Sequence, residues 1–327
     1  MLQVGLVGTG FAARLRAEAF TAETRSQLIA VAGHSLERTA QFCEPFGVQP
    51  CASWQEVVNR PELDLIVVST VSQSHGDIVE AALLADKHVV VEYPLSLDVA
   101  QAVRLLALAC DRNRLLHIEH IELLGGQHQA ARAHLAAVGQ PFYARYCTLN
   151  PQRPAPQKWT YQPDQFGFPL MGALSRIHRL TDLFGTVEHV FCQNRYEGTW
   201  PDGSGYTSCL CTAQLHFTSG LVAEVTYGKG EAVWTTTRRL EIHGSQGGLT
   251  LDGDQATLVT AAGEQPIEIG SRRGLFAKDT AQVLDFLAEE TPLYVSPQAS
   301  LYALQVADAA RQSAESGQAV AVETAAE

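Results

Sequence analysis

The chain has 327 residues, a length that suggests two domains. Apolar residues make up 46% of it and charged residues 18%, which excludes a disordered, collagen-like or disulfide-scaffold chain. A formal net charge of −12 argues against generic binding to nucleic acid or to an anionic membrane, while leaving room for an anionic substrate in a local cationic pocket.

Met1–Val7 enters a strand at once, without a basic region or a signal-peptide core. No run of about 18 apolar residues is present to span a membrane, and the expected location is the cytoplasm. The first 120 residues alternate predicted strands (Leu2–Val7, Leu28–Ala32, Leu63–Ser69, Val89–Glu92, Leu115–Ile118) with predicted helices (Phe11–Phe20, Glu37–Phe46, His75–Ala85, Asp98–Asn113). Leu63–Ser69 is a continuous apolar run, as a parallel strand covered on both faces requires. The alternation predicts a Rossmann-type, doubly wound α/β parallel sheet over residues 1–120.

Beyond that point, strands are predicted at Pro141–Asn150, Val187–Tyr196, Ser208–Thr218, Leu221–Tyr227, Thr237–Ile242, Gly248–Leu251, Ala256–Val259 and Gln265–Ile269. Short turns link many of them, which predicts a large, mostly antiparallel sheet. Helices at Lys278–Glu290 and Gln298–Glu315 complete an α+β domain over 121–327, and Ala319–Glu327 reads as a loose tail. The seven cysteines include no Cys-x-x-Cys, and Cys209 and Cys211 share one strand face in poor geometry for a bridge. Free buried thiols are expected, with a zinc site or redox pair as the alternative.

Gly8-Thr9-Gly10-Phe11-Ala12-Ala13 fits G-x-G-x-x-A between a strand and a helix. The first glycine allows the tight turn, the second admits a pyrophosphate to the backbone, and the small third residue lets helix and strand pack closely. Where an NAD enzyme places an acid after the second strand, this chain has Gly33. His34, Ser35 and Arg38 follow and can donate to a 2′-phosphate, so NADPH is expected. NADH is the alternative, because Glu37 adjoins Arg38. Thr70 and Ser72 lie in a polar loop where the adenosine–pyrophosphate side of a cofactor would sit. His75 ends that loop, either as a cofactor contact or as the anchor of the next helix.

Gly8-x-Gly10, the Thr70…His75 loop and Glu92-Tyr93-Pro94 together resemble the glucose–fructose oxidoreductase, inositol dehydrogenase and rhizopine-catabolism superfamily. The resemblance implies a Rossmann domain followed by an open-faced sheet domain, with Glu92 and Tyr93 at the nicotinamide. In that superfamily's sugar dehydrogenases a catalytic Lys stands at Tyr93, an Asp at Ser175 and a His at Arg179. A sugar alcohol needs a base near neutrality, and Tyr at about 10 or Arg above about 12 cannot supply one.

Val91-Glu92-Tyr93-Pro94, Glu119-His120-Ile121-Glu122-Leu123-Leu124, Phe166-Gly167-Phe168-Pro169, Ser175-Arg176 and Leu183-Phe184-Gly185 are similar to the A-type biliverdin reductases, the bacterial branch above all. That resemblance implies hydride delivery to the C10 methine carbon of biliverdin and protonation of a pyrrole nitrogen, giving bilirubin. It makes Arg176 the first catalytic candidate, with Tyr93, Glu119 and Glu122 beside it, and Arg176, Arg179 and His120 the substrate contacts. Structural alternatives are an Arg176–Asp182 ion pair and packing roles for the two glutamates. A monomer acting on a small molecule, without a metal, is expected. Rival functions are oxidation of a sugar or cyclic alcohol and a non-catalytic NADP-binding regulator.

Overall fold

The computed structural model describes residues 1–289 and 291–322. Strands β1 (Leu2–Val7), β2 (Ser26–Ala32), β3 (Gln49–Cys51), β4 (Leu65–Val68), β5 (His88–Val91) and β6 (Leu116–Ile118) form one parallel sheet in the order β3-β2-β1-β4-β5-β6. The reversal of direction falls between β1 and β4, the point at which such sheets open a crevice. Helices α1 (Phe11–Ala22), α2 (Leu36–Cys43), α3 (Trp54–Val58), α4 (His75–Leu84) and α5 (Val99–Asp111) connect the strands. Every residue of β4 is buried, as its unbroken aliphatic run requires.

The sequence gives weak signals for two of these elements. β3 is three residues with Pro50 at its centre, tolerated because it is an edge strand. α3 has five residues and starts on a Ser53 cap: Ser53 Oγ accepts from the Glu56 amide at 3.2 Å, and the Glu56 carboxylate accepts from the Ala52 amide, just before the cap, at 2.8 Å.

After α6 (Gly126–Val138), strand β7 (Pro141–Pro151) and the short helices α7 (Pro163–Phe166) and α8 (Pro169–Gly172) lead to α9 (Ser175–Phe184). There follow β8 (Val187–Glu197), β9 (Ser208–Phe217), β10 (Val222–Gly230), β11 (Thr237–Gly244), β12 (Gly247–Asp252), β13 (Gln255–Thr260) and β14 (Gly263–Pro266), then α10 (Leu275–Leu287), α11 (Pro297–Ser316) and β15 (Val320–Ala321). The second sheet runs β14-β13-β12-β11-β7-β10-β9-β8-β15, antiparallel except for β7 against β10. Two expectations are corrected here. The last hairpin strand ends at Pro266, short of Ile269. The tail is not wholly loose, since Val320 and Ala321 pair with Val190 and His189; Glu323–Glu327 lie outside the described residues.

The chain divides into two compact units, Met1–Leu124 with Gly274–Leu301, and Gly125–Arg273 with the segment from Tyr302 on. The sequence reading assigned everything after 120 to the second domain, whereas α10 and the start of α11 belong with the Rossmann unit. The reason is a buried charge. Arg16 on α1 is 0% exposed and cannot lose its proton, so carboxylates must be brought to it. Asp279 of α10 pairs with its Nη1, and Glu92 accepts from its Nε at 3.0 Å. Asp279 also accepts from His117 Nε2 and Tyr294 OH, each at 2.7 Å. Burial would raise the pKa of its carboxyl, but Arg16 and His117 outweigh it and hold the group well below the usual range. Val283 and Leu284 of α10 join Phe20, Val31 and Leu65 in the core beneath.

Asp279→Ala should therefore cost about 3–5 kcal/mol, the scale for removing one partner of a buried pair. Arg16→Met combined with Asp279→Leu and Glu92→Gln should recover much of that, because no lone charge of the group remains. Urea denaturation of the two variants checks this; a loss below 1 kcal/mol in Asp279→Ala would contradict it.

Candidate functional site

The turn after β1 is built for close approach. Gly8 has φ +129°, and a Cβ there would fall 2.1 Å from the Ser69 carbonyl oxygen. Gly10 caps α1 without a side-chain bond, so the first-turn amides of Phe11, Ala12 and Ala13 have no side chain competing for them. Ala13 is fully buried where helix meets strand. This cradle fits a pyrophosphate. Gly33 explains the missing acid: a Cβ there would lie 2.6 Å from Thr9 Cγ2 and 2.7 Å from Thr39 Oγ1, so a longer side chain has no room. Ser35 caps α2 by accepting from the Arg38 amide at 3.4 Å, while His34 and Arg38 are exposed and Arg38 forms no ion pair among the described residues. Glu37 therefore does not neutralise it.

The polar loop places its residues unequally. Thr70 Oγ1 lies 2.8 Å from Ser74 Oγ, and Ser72 is buried. His75 is a correction. Its ring nitrogens sit 2.8 Å from the Pro94 carbonyl and 3.2 Å from the Thr70 carbonyl, so it ties this loop to the turn after β5 and has 1% of its surface left for a ligand.

Glu92 and Glu119 leave the carboxyl ends of the neighbouring strands β5 and β6, so their side chains meet. Burial, then the negative charges of Glu92 and Glu122, then a hydrogen bond to Glu92, raise the Glu119 pKa well above the carboxylate range; Arg16 opposes this only weakly. Glu119 Oε2 accepts from the Ile121 amide at 2.8 Å. Tyr93 OH donates to Glu122 Oε1 at 3.0 Å, and its ring stacks on His120 with centroids 5.2 Å apart. His120 is a second correction. It is buried and held by Ser300 Oγ at 2.9 Å, so it supports Tyr93 and offers no surface to a substrate.

In the second unit, α9 lays Arg176 on the sheet. Its Nε donates to Thr148 Oγ1 at 3.3 Å, its Nη1 to Ser175 Oγ at 2.9 Å, and its guanidinium covers the Tyr227 ring at 5.1 Å. Asp182 is engaged elsewhere, accepting from His128 Nε2 at 2.7 Å with Arg132 at 3.7 Å. Arg179 is buried over Tyr146. Sequence reasoning missed Lys229, whose Nζ donates to the Thr160 carbonyl beneath the rings of Phe166 (4.1 Å) and Tyr161 (4.5 Å). Burial pulls its pKa down to about 8. Phe166 belongs to the quoted Phe-Gly-Phe-Pro motif, the one hint the sequence held. The cysteines are free, and no cluster that could hold a metal occurs among the described residues.

A nucleotide cradle at the sheet's switch point and a carboxyl-rich strand end, carried with a second large sheet, define a two-domain dinucleotide-dependent oxidoreductase. The chain belongs to the GFO/IDH/MocA oxidoreductase family: residues 2–120 match its NAD-binding Rossmann fold and residues 137–322 its C-terminal alpha/beta domain. It is 52% identical to a biliverdin reductase from Synechocystis sp. PCC 6803, whose crystal structure holds biliverdin and NADP+. The two superpose with a TM-score of 0.94, covering 96% of this chain and 99% of that one. Mouse biliverdin reductase A is 33% identical over 147 residues, 44% of this chain and 47% of the mouse protein, so the match spans about half of that relative. A dTDP-3,4-didehydro-2,6-dideoxy-alpha-D-glucose 3-reductase from Actinomadura kijaniata is 29% identical over 77% of this chain and 74% of its own length.

The raised Glu119 pKa makes a stability prediction. The native state holds this proton more tightly than the unfolded chain, so stability falls as pH rises from the ordinary carboxyl pKa of about 4.3 to the raised value. Glu119→Gln removes the penalty and keeps both hydrogen bonds. Its melting temperature should equal the wild type's near pH 4 and exceed it increasingly towards neutrality. Identical pH slopes in the two proteins would refute the shift.

Proposed function

We propose that this protein reduces biliverdin to bilirubin with NADPH, as a cytoplasmic monomer. The observation that carries the reading is the 52% identity, over nearly the whole chain, to the biliverdin reductase crystallised with biliverdin and NADP+. Local chemistry agrees. Tyr93 stands where a sugar dehydrogenase keeps its lysine, with its hydroxyl already committed to Glu122, and Ser175 and Arg179 replace the acid and the histidine. No helix among the described residues is long and apolar enough to cross a membrane.

NADPH, when bound, supplies the hydride. Its phosphates would rest on the Gly8–Ala13 turn, and its 2′-phosphate would meet His34, Ser35 and Arg38. The chain must then provide a proton to a pyrrole nitrogen and stabilise the charge that develops meanwhile. Glu119, whose pKa is raised by burial and by the charges of Glu92 and Glu122, is the carboxyl suited to deliver that proton. Tyr93 and Glu122 form a hydrogen-bonded pair at the same strand end, beside that carboxyl. Arg176, fixed by two hydroxyls, stabilises negative charge on the tetrapyrrole; its pKa above about 12 suits it poorly to act as an acid.

Two measurements test this. Mixing protein, NADPH and biliverdin should generate the yellow absorbance of bilirubin. In that assay Arg176→Ala should lower single-turnover rates by roughly a hundredfold, the scale for one preorganised donor, while NADPH binding is unchanged. Arg176→Lys should rescue only part, because an ammonium lacks the planar fork. Tyr93→Phe should slow turnover by about tenfold or less, the value of one hydrogen bond to a charged group. No bilirubin from the wild type sinks the function; a near-normal Arg176→Ala sinks this role for the residue.

Cofactor choice is checked separately. NADPH should be preferred over NADH in steady-state kinetics, and Arg38→Ala should raise the NADPH Michaelis constant by about tenfold while leaving that of NADH unchanged. Equal effects on both cofactors would mean that Arg38 does not read the 2′-phosphate.

A further inference from the structure

The inner face of the second sheet carries more positive charge than its neighbours balance. Tyr146 and Thr148 are two residues apart on β7 and share that face. Arg176 and Arg179, one turn apart on α9, lie over them: Arg176 bonds Thr148, and the Arg179 guanidinium sits 5.2 Å from the Tyr146 ring centroid. On the next strand, Arg238 of β11 stands directly opposite Thr148 in the sheet register. Arg179 is 2% exposed, and its Nε has no hydrogen-bond partner; the Nε of Arg238 is likewise buried and unpartnered. Arg272 completes the group. Burial and the nearby positive charge of Arg238, with a smaller effect from Arg179, push its pKa down.

Counter-charge is scarce. Among the described residues the one carboxylate paired with Arg179, Arg238 or Arg272 is Asp254, 3.9 Å from Arg272 and 88% exposed. Asp182, the acid nearest along α9, is taken by His128 and Arg132. An unpartnered buried guanidinium N–H is costly to the folded protein, and such costs mark sites that a ligand completes. Planar forks of N–H donors match carboxylates, which accept two parallel hydrogen bonds.

We propose that Arg179, Arg238 and Arg272 form a carboxylate-binding subsite on the inner face of the second sheet, taking an aliphatic carboxylate arm of the substrate. The proposal rests on the biliverdin reading, in which the arms are the two propionates. Arg176 stays the residue at the reacting π-system, and the three others fix the ligand by its charged edge.

The experiment compares biliverdin with its dimethyl ester, which keeps the conjugated system and removes both charges. Binding is read by quenching of tryptophan fluorescence, for the wild type, Arg238→Met and Arg179→Met. The wild type should bind the ester at least tenfold more weakly than biliverdin, and each variant should lose at least tenfold in affinity for biliverdin but little for the ester. Without ligand, both variants should melt at or above the wild-type temperature, because an uncompensated charge has gone; a merely structural arginine would lower it. Equal wild-type affinity for acid and ester would overturn the subsite while leaving the biliverdin reading intact. Binding of neither compound would overturn both.

Discussion

Much of the Rossmann unit follows from one charge that cannot be neutralised. Arg16 lies at zero exposure, and its surroundings raise its pKa further, so the interior must carry negative charge at that point. Asp279 and Glu92 supply it. Asp279 draws α10 into the unit from 263 residues away and engages His117 and Tyr294 on the way. Glu92 is drawn to the same cation from the end of β5. Glu119 and Glu122 then share the neighbourhood with no cation of their own, and burial together with repulsion raises the Glu119 pKa well above the carboxylate range.

This explains what the sequence could and could not disclose. The glycine turn is legible because its demands are local: a positive φ, a missing Cβ and a helix start within a few residues. The buried strands are legible from their aliphatic runs, and α10 was foreseen within three residues at each end. Its allegiance was not, because nothing near Lys278 names a partner in α1. Arg16 itself looks like a surface residue. Arg14, two positions earlier, is one, pairing with Glu18 along an exposed helix face.

The candidate site divides in the same way. Tyr93, Glu119 and Glu122 are legible through the resemblance to the A-type biliverdin reductases, whose Glu-Tyr-Pro and Glu-His-x-Glu segments they occupy. His120, in the loop of the two glutamates, reads as a substrate contact, and His75, after β4, as a cofactor contact or a helix anchor, yet their rings turn inward to Ser300 and to backbone carbonyls. Side-chain direction in a loop has no periodicity to betray it. In the second unit, short turns correctly announced an antiparallel sheet but could not reveal that β7 lies between β10 and β11. That placement is what sets Arg238 opposite Thr148.

The two units therefore hold groups of opposite kind, a carboxyl with a raised pKa in one and the Arg176 guanidinium, fixed on the sheet, in the other. Reducing a dianionic conjugated system with a hydride adds negative charge that must be met by a proton, by fixed positive charge, or by both. A guanidinium is a poor acid but a strong fixed cation, and a buried carboxyl is a weak cation-binder once protonated but a ready acid. Neither group can perform the other's part. A chain that lacks the lysine of its sugar-oxidising relatives can run the opposite reaction direction with these two devices, because reduction needs a proton delivered where oxidation needs one removed.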